Sequence, residues 1–284
     1  MHVRLLANPN SGAGAALAAA DEIVGLVRAR GHDVELVETH DAEHTREAAL
    51  ATGTDRILAA GGDGMFHYVL QGVAGTTRPV GLVPVGTGND FARALDLPLD
   101  DLPAAVEVAL GPVSALDAVR TEVGWFATVA TLGFSAQVNA RGNDMRWPKG
   151  SLRYTIATLV ELPRSQPITV EIEVDGQGTR VEAMFVAMAN TPFFGGGMAI
   201  CPDARPDDGL LDIGIVGAVG RLELVRLLPK VFSGEHTNHP RFTLVRGRQV
   251  TVRSAHSVRA DGEVLADSPV TMEVVPGALL FATP

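Results

Sequence analysis

The sequence predicts an α/β protein of two domains: a parallel sheet with helices on both faces over residues 1–115, then a mainly antiparallel β-sandwich over 116–284. Three observations carry this. Short apolar runs alternate with helical patterns through the first part. Polar, Gly-rich turns (NPNSGAG, GGDGM and GTGNDF) fall where those runs end. From about residue 116, strand-like text bounded by Gly, Asp-Gly and Pro takes over.

In order, HVRLLAN (2–8) is a short apolar strand and NPNSGAG (8–14) a turn by its Asn, Pro and Gly content. AALAAADEIVGLVRARG has apolar residues at helical spacing and ends at Gly31, a suitable cap. DVELVET (33–39) alternates as a strand, a polar helix covers about 43–51, and DRILAA (55–60) is a strand running into GGDG. A helix covers about 65–74, PVGLVP (79–84) is a buried strand, and VGTGNDFARAL (85–95) turns into another helix. Connections of this length join parallel strands, and ligands of such sheets bind beyond the carboxyl ends of the strands.

In the second part ALDAVR, GWFATVATLGFSAQV, ITVEIEVDG, TRVEAMFVAMAN, GLLDIGIVG, FTLVRGRQVTVRS, HSVRADGEVL and SPVTMEVVPGALLF read as strands. Helices interrupt them near 150–161 and 220–233.

At 284 residues and 46% hydrophobic composition, the chain can bury a real core, which excludes disorder. Acids outnumber bases 33 to 23, for a net charge of −10. That argues against nucleic acid as the main partner, because phosphate backbones are bound by clustered Lys and Arg. Cys201 is the single cysteine, so no intrachain disulfide forms, and burial would leave it inert. The start shows no basic region leading into an apolar signal segment, and no uncharged apolar stretch reaches spanning length. The expectation is a cytoplasmic protein, with peripheral contact at the inner face of the membrane left open.

Each Gly-rich turn exposes backbone N–H groups at a helix N-terminus, where the partial positive charge attracts phosphate. Taken singly, each is more simply a helix cap. Three on one rim point to an anion site. There is no G-x-x-x-x-G-K-[ST] and no G-x-G-x-x-G after the first strand, which sets aside the Walker loop and weakens a dinucleotide oxidoreductase.

NPNSG, GGDG and PVGTGNDFAR, in this order and spacing, resemble the catalytic domain of diacylglycerol kinases and related bacterial lipid kinases. PDARPDDGLLD (202–212), SGEHTNHP (233–240) and ADGEVL (260–265) extend the resemblance over nearly the whole chain. Similar GGDG turns occur in NAD kinases and phosphofructokinases. The resemblance implies a nucleotide-binding first domain, a lipid-substrate second domain, an active site in the cleft, and last residues that return to the first domain. It implies an ATP-dependent kinase, using Mg²⁺, that acts on diacylglycerol or a related lipid alcohol.

Phosphoryl transfer needs a nucleotide cradle, Mg²⁺ and an acceptor for the attacking hydroxyl's proton. The turn Asn8, Pro9, Asn10, Ser11, Gly12 and the turn Gly61, Gly62, Asp63, Gly64 supply backbone groups for the cradle. The resemblance adds Thr39 and Thr87 as nucleotide contacts. Asp63 and Asp90 are rim carboxylates suited to organise Mg²⁺, with N-capping as their ordinary reading. Asp117 matches a further family carboxylate. Asp261 and Glu263, read alone, form an Asp-Gly hairpin turn; the resemblance makes Asp261 the general base and Glu263 its support. It also implies a structural Mg²⁺ on the Asp208 side chain and the Arg205 and Leu210 carbonyls. His236 and His239, three apart without cysteine, are weak as a zinc site.

Family members usually continue GGDG with Thr, a bulky apolar residue, Asn and Glu; here the run is Met65, Phe66, His67 and Tyr68. A hydroxyl, an amide and a carboxylate are thereby lost beside the nucleotide. This argues against NAD kinase, and leaves open a catalytically weak lipid- or nucleotide-binding relative, or a kinase of a soluble hydroxyl substrate. Residues 220–260 hold eight bases against Glu223 and Glu235, and 141–154 mix four bases with Trp147 and Tyr154. Either stretch suits an anionic lipid surface, or is an ordinary solvated face. Oligomerisation is left open.

Overall fold

A computed structural model describes residues 1–9, 15–133, 166–261 and 263–284. The chain divides into two compact units, Met1–Ala118 with Pro276–Pro284, and Val119–Val275.

The first unit is built on β1 (His2–Ala7), β2 (Asp33–Glu38), β3 (Arg56–Gly61), β4 (Pro79–Pro84) and the last residues of β17 (Val270–Ala282). They pair in the order β2-β1-β3-β4-β17, all parallel, with Leu5 opposite both Leu36 and Leu58, Leu58 opposite Gly81, and Leu280 opposite Pro79. β3 is buried at every position, as a strand covered on both faces must be. The covering helices are α1 (Ala15–Ala29), α2 (Ala42–Leu50), α3 (Asp63–Val73), α4 (Asp90–Ala94) and α5 (Leu102–Leu110).

Alternation decides the faces. Val3, Leu5 and Ala7 pack with Ile23 and Val27 of α1 and Val106 of α5. On another side of the unit Phe66 of α3 stacks on Phe91 of α4 at 4.2 Å, and Phe281 meets both edge-on at 5.5 and 5.1 Å. α5 goes beyond the sequence reading, although Asp101 caps it through the Ala104 N–H and a proline sits in its first turn.

The second unit is an antiparallel β-sandwich. Its strands are β6 (Trp125–Phe126), β7 (Val129–Gly133), β8 (Ile168–Val174), β9 (Gln177–Ala189), β12 (Leu211–Gly217), β13 (Phe242–Gly247), β14 (Gln249–Arg253), β15 (Val258–Ala260), β16 (Glu263–Ala266) and the first part of β17. β5 (Val113–Arg120) leads in from the first unit, and a small hairpin pairs β10 (Phe193–Phe194) with β11 (Met198–Ala199). The pairing runs β16-β15-β7-β9-β8-β14-β17, with β12 joined to β9 and β13 to β12. Alternate residues such as Val170 and Ile172, Leu211 and Ile213, Val250 and Val252, and Val270 and Met272 meet in one apolar core.

FTLVRGRQVTVRS is two strands, not one. β13 pairs with β12, whereas β14 pairs with β8 and β17. Asp175 makes the break by accepting the backbone N–H groups of Arg248 at 3.1 Å and Gln249 at 2.9 Å. The expected helix near 220–233 is α6 (Arg221–Ser233), followed by a 3-10 turn at Glu235–Asn238. The helix expected near 150–161 and the stretch 141–154 lie outside the described residues. Among the described residues no helix is long and apolar enough to cross a membrane.

Candidate active site

The carboxyl ends of β1, β2, β3 and β4 share one rim of the parallel sheet. Beyond β1 lie the buried Asn8 and then Pro9; Asn10, Ser11 and Gly12 are outside the described residues. Beyond β2, Thr39 is fully buried, donating its N–H to the Ala7 carbonyl at 2.8 Å and accepting a hydrogen bond from the Thr45 hydroxyl at 2.9 Å. Its side chain is thus tied into α2.

Beyond β3 and β4 two turns touch. A Cβ on Gly86 would sit 2.8 Å from the Gly62 nitrogen and 2.7 Å from Asn89 Oδ1, and one on Gly62 would lie 3.1 Å from the Gly86 Cα. Only glycine permits so close an approach of two backbones. The Asp63 Oδ1 accepts the Phe91 N–H at 3.0 Å, in the first turn of α4. The ordinary capping reading of Asp63 therefore holds for a neighbouring helix. Its own helix begins at Gly62, which has no side chain to offer, and no described residue lies within 4 Å of a Cβ placed on Gly64 in the first turn. α2 and α5, by contrast, are capped by Asp41 and Asp101.

Asp90 is the buried first residue of α4, and Thr87 in the turn before it is exposed. Asn89 sits between them with φ 54°, its Nδ2 donating to the Gly86 carbonyl at 2.9 Å. Its Oδ1 is buried with no hydrogen-bond partner among the described residues. Sequence reasoning missed Asn89, though asparagine is enriched in left-handed backbone. Asp117, 3% exposed, accepts the Gly277 N–H at 3.0 Å and so fastens the last strand. Met65, which stands where the resemblance calls for a hydroxyl, is 2% exposed, so its side chain belongs to the core. His67 and Tyr68 are half-buried with ring centres 5.8 Å apart.

In the second unit Asp261 links β15 to β16 at φ 49°. Its Oδ1 accepts from both the hydroxyl and the N–H of Thr128, the latter at 3.3 Å. Thr128 is held by Asn190, which donates its N–H to the Thr128 carbonyl at 2.9 Å and its Nδ2 to the Ala127 carbonyl at 2.8 Å. The backbone of Glu263 pairs with Ala260; its carboxylate lies outside the described residues.

At the acidic turn, Asp208 Oδ1 accepts the Leu210 N–H at 3.1 Å and Oδ2 accepts from Arg246. Arg246 also reaches Asp212 at 3.2 Å, and Arg205 pairs with Asp207 at 3.1 Å. Burial raises the Asp212 carboxyl, opposed by the Arg246 charge. Among the described residues no cluster of three or more His, Cys, Asp or Glu side chains is grouped to hold a metal ion. Cys201 is buried, and burial pushes its thiol well up, out of the reactive range. Burial lowers the pKa of His236, whose Nε2 lies 3.0 Å from the Ile200 carbonyl; His239 pairs instead with Glu223 at 2.9 Å.

The rim of the parallel sheet carries a glycine-opened helix start and two carboxylates, groups suited to a phosphorylated ligand. The model of the diacylglycerol kinase catalytic domain matches residues 2–121, and that of the YegS C-terminal NAD kinase beta sandwich-like domain matches 128–283. A diacylglycerol kinase of Mycobacterium tuberculosis is 40% identical, over 99% of this chain and 95% of the relative. A probable lipid kinase YegS-like of Xanthomonas euvesicatoria is 31% identical, over 93% and 91%. The crystal structure of a putative diacylglycerol kinase from Bacillus anthracis shares the fold, with a TM-score of 0.83 at 24% identity, covering 100% of this chain and 97% of that one. The chain belongs to the diacylglycerol kinase family of lipid kinases.

Proposed function

We propose that this protein transfers the γ-phosphoryl group of ATP to the hydroxyl of diacylglycerol or a closely related lipid alcohol. The observation that carries the reading is the start of α3, a helix N-terminus whose N-cap Gly62 has no side chain, with glycine again at position 64 and a rim carboxylate beside it. A triphosphate supplies the acceptors that such a terminus lacks. The names of the relatives, at 40% and 31% identity, support the lipid acceptor.

In this reading the turns Asn8–Gly12 and Gly61–Gly64, with Thr39 and Thr87, hold the nucleotide. Asp63, Asp90 and Asp117 are the carboxylates of the phosphate rim. An Mg²⁺ ion, when bound, neutralises charge on the phosphate oxygens. The Phe91 N–H fixes the Asp63 carboxylate at the rim, which fits it to that task. Asp261 takes the proton of the lipid hydroxyl as that oxygen bonds to the γ-phosphorus; the bond from phosphorus to the β,γ-bridging oxygen breaks and ADP leaves. Glu263 supports Asp261. A second Mg²⁺ would be held by the Asp208 side chain and the Arg205 and Leu210 carbonyls, the hard oxygens such an ion takes. Two of the roughly four lone-pair positions of the Asp208 carboxylate are used, by Leu210 and Arg246, and the others remain for the ion.

Labelled ATP offered with diacylglycerol, a sphingoid base and NAD tests the assignment, and label should pass to diacylglycerol. Asp261→Asn should keep the melting temperature and ATP affinity near wild type while turnover drops by about 10²–10⁴. Label on NAD alone refutes the acceptor. Unchanged turnover in the Asp261→Asn variant refutes the base.

A further inference from the structure

Helix α6 (Arg221–Ser233) carries two apolar faces where a helix on a folded unit needs one. The inner face is accounted for. Leu224 and Leu227 are 6% and 8% exposed, and Leu224 packs with Met184 of β9. The outer face is Leu222, Val225, Pro229 and Phe232, spaced i, i+3, i+7 and i+10, so they lie in one line along the helix. Leu222 is 74% exposed, Val225 40% and Phe232 45%, and Pro229 is exposed as well. Arg221, Arg226 and Lys230 flank this line and are exposed. The helix has one acid, Glu223, which accepts the Gly220 N–H at 3.3 Å and pairs with His239.

We infer that this outer stripe is a docking surface for an anionic lipid bilayer. An apolar line bordered by bases is what lets a helix lie in the headgroup layer, its side chains in the acyl boundary and its charges among the phosphates. Charge selects the occupant. The protein as a whole is at −10, yet α6 carries three bases, Arg221, Arg226 and Lys230, against the single acid Glu223. A second copy seated on the same face would set Arg226 and Lys230 against their own like charges, whereas an anionic surface complements them. The inference rests on the lipid-kinase reading only for its purpose, since a substrate dissolved in a bilayer has to be reached there.

The test separates docking from catalysis. Co-sedimentation with vesicles of phosphatidylcholine alone and of phosphatidylcholine with phosphatidylglycerol reads docking without any phosphorylation. Wild type should bind the anionic vesicles and release them as salt is raised. Arg226→Gln with Lys230→Gln should weaken that binding by about 30-fold, roughly fivefold for each base removed. Leu222→Ser with Phe232→Ser should weaken it at least tenfold, on the order expected for two lost apolar contacts. Both double variants should melt with wild type and phosphorylate a short-chain, water-dispersed diacylglycerol at the wild-type rate. Equal vesicle binding by wild type and variants overturns the inference. So does a wild type that ignores anionic vesicles, or variants that turn a dimer into a monomer in light scattering while still binding vesicles. Loss of label transfer to the short-chain substrate by wild type would instead strike the proposed reaction and leave the docking result standing.

Discussion

Asp261 is a residue held by a neighbour far away in sequence. Its left-handed backbone is unfavourable for an ordinary side chain, and Thr128, 133 positions earlier, holds the carboxylate through both its hydroxyl and its N–H. If Asp261 is the base, Thr128 is a positioning residue. Thr128→Val keeps the shape and the backbone donor and removes only the hydroxyl. We expect kcat to fall by about 10- to 100-fold, the usual consequence of losing one such hydrogen bond to a charged group. KM for ATP should stay within about twofold, and Thr128→Ser should restore most of the rate. A fall in melting temperature matched by equal changes in kcat and KM, or no rescue by serine, would reduce Thr128 to a packing residue. The sequence made Asp261 legible as a turn, because Asp-Gly between strands is a local signal. Thr128 was not legible, because nothing local marks a partner so distant. Asn89 fell between these cases, since its residue type hinted at the left-handed turn but not at its buried amide.

At the level of elements, the starts of the helices differ in a way that separates structure from chemistry. α2 and α5 close their own ends with Asp41 and Asp101, whereas α3 opens on glycines. Gly86 and Gly64 then make a contrasting pair. Gly86→Ala drives a Cβ against the Gly62 backbone, and overpacking of this kind costs about 1–3 kcal/mol. Gly64→Ala meets no described residue within 4 Å and replaces a poor helix former, so stability should rise by up to ~1 kcal/mol. Its methyl group nonetheless enters the space where phosphate is proposed to lie. Chemical denaturation and steady-state kinetics should therefore diverge: a more stable protein whose KM for ATP is at least about tenfold higher, a loss on the scale of one or two hydrogen bonds to a charged group. Wild-type KM in Gly64→Ala would move the phosphate site away from α3. The strands and most helices of the first unit could be read from periodicity, since buried parallel strands are continuous apolar runs. The break at Arg248 could not. It depends on Asp175, more than seventy residues away, drawing two N–H groups out of line.

For the molecule as a whole, chain order and spatial order part company at the C-terminus. Residues 276–284 belong to the first unit although the whole of the second, Val119–Val275, precedes them. The last part of β17 extends the parallel sheet beside β4, and it is fastened where Gly277 donates its N–H to Asp117 and where the Ala278 carbonyl accepts the Gly75 N–H. Local patterning cannot reveal such a return, because the partners of the final strand are distant in sequence and its own residues read as any strand. Phe281 makes the return consequential. It is fully buried and meets Phe66 and Phe91 edge-on. Phe66 follows Asp63 by three residues, Phe91 follows Asp90 directly, and the Phe91 N–H is the donor to Asp63. The terminal strand thus braces the two helix starts that carry the rim carboxylates. Phe281→Ala should cost about 3–5 kcal/mol, the range for emptying a buried phenyl site. Phe281→Leu, which refills most of the volume, should cost less than half as much. If the brace matters for chemistry, turnover measured well below the unfolding transition should fall in the same order, alanine more than leucine. Equal turnover in both variants, with melting shifted as expected, would mean that the aromatic cluster supports the unit but does not position Asp63 and Asp90.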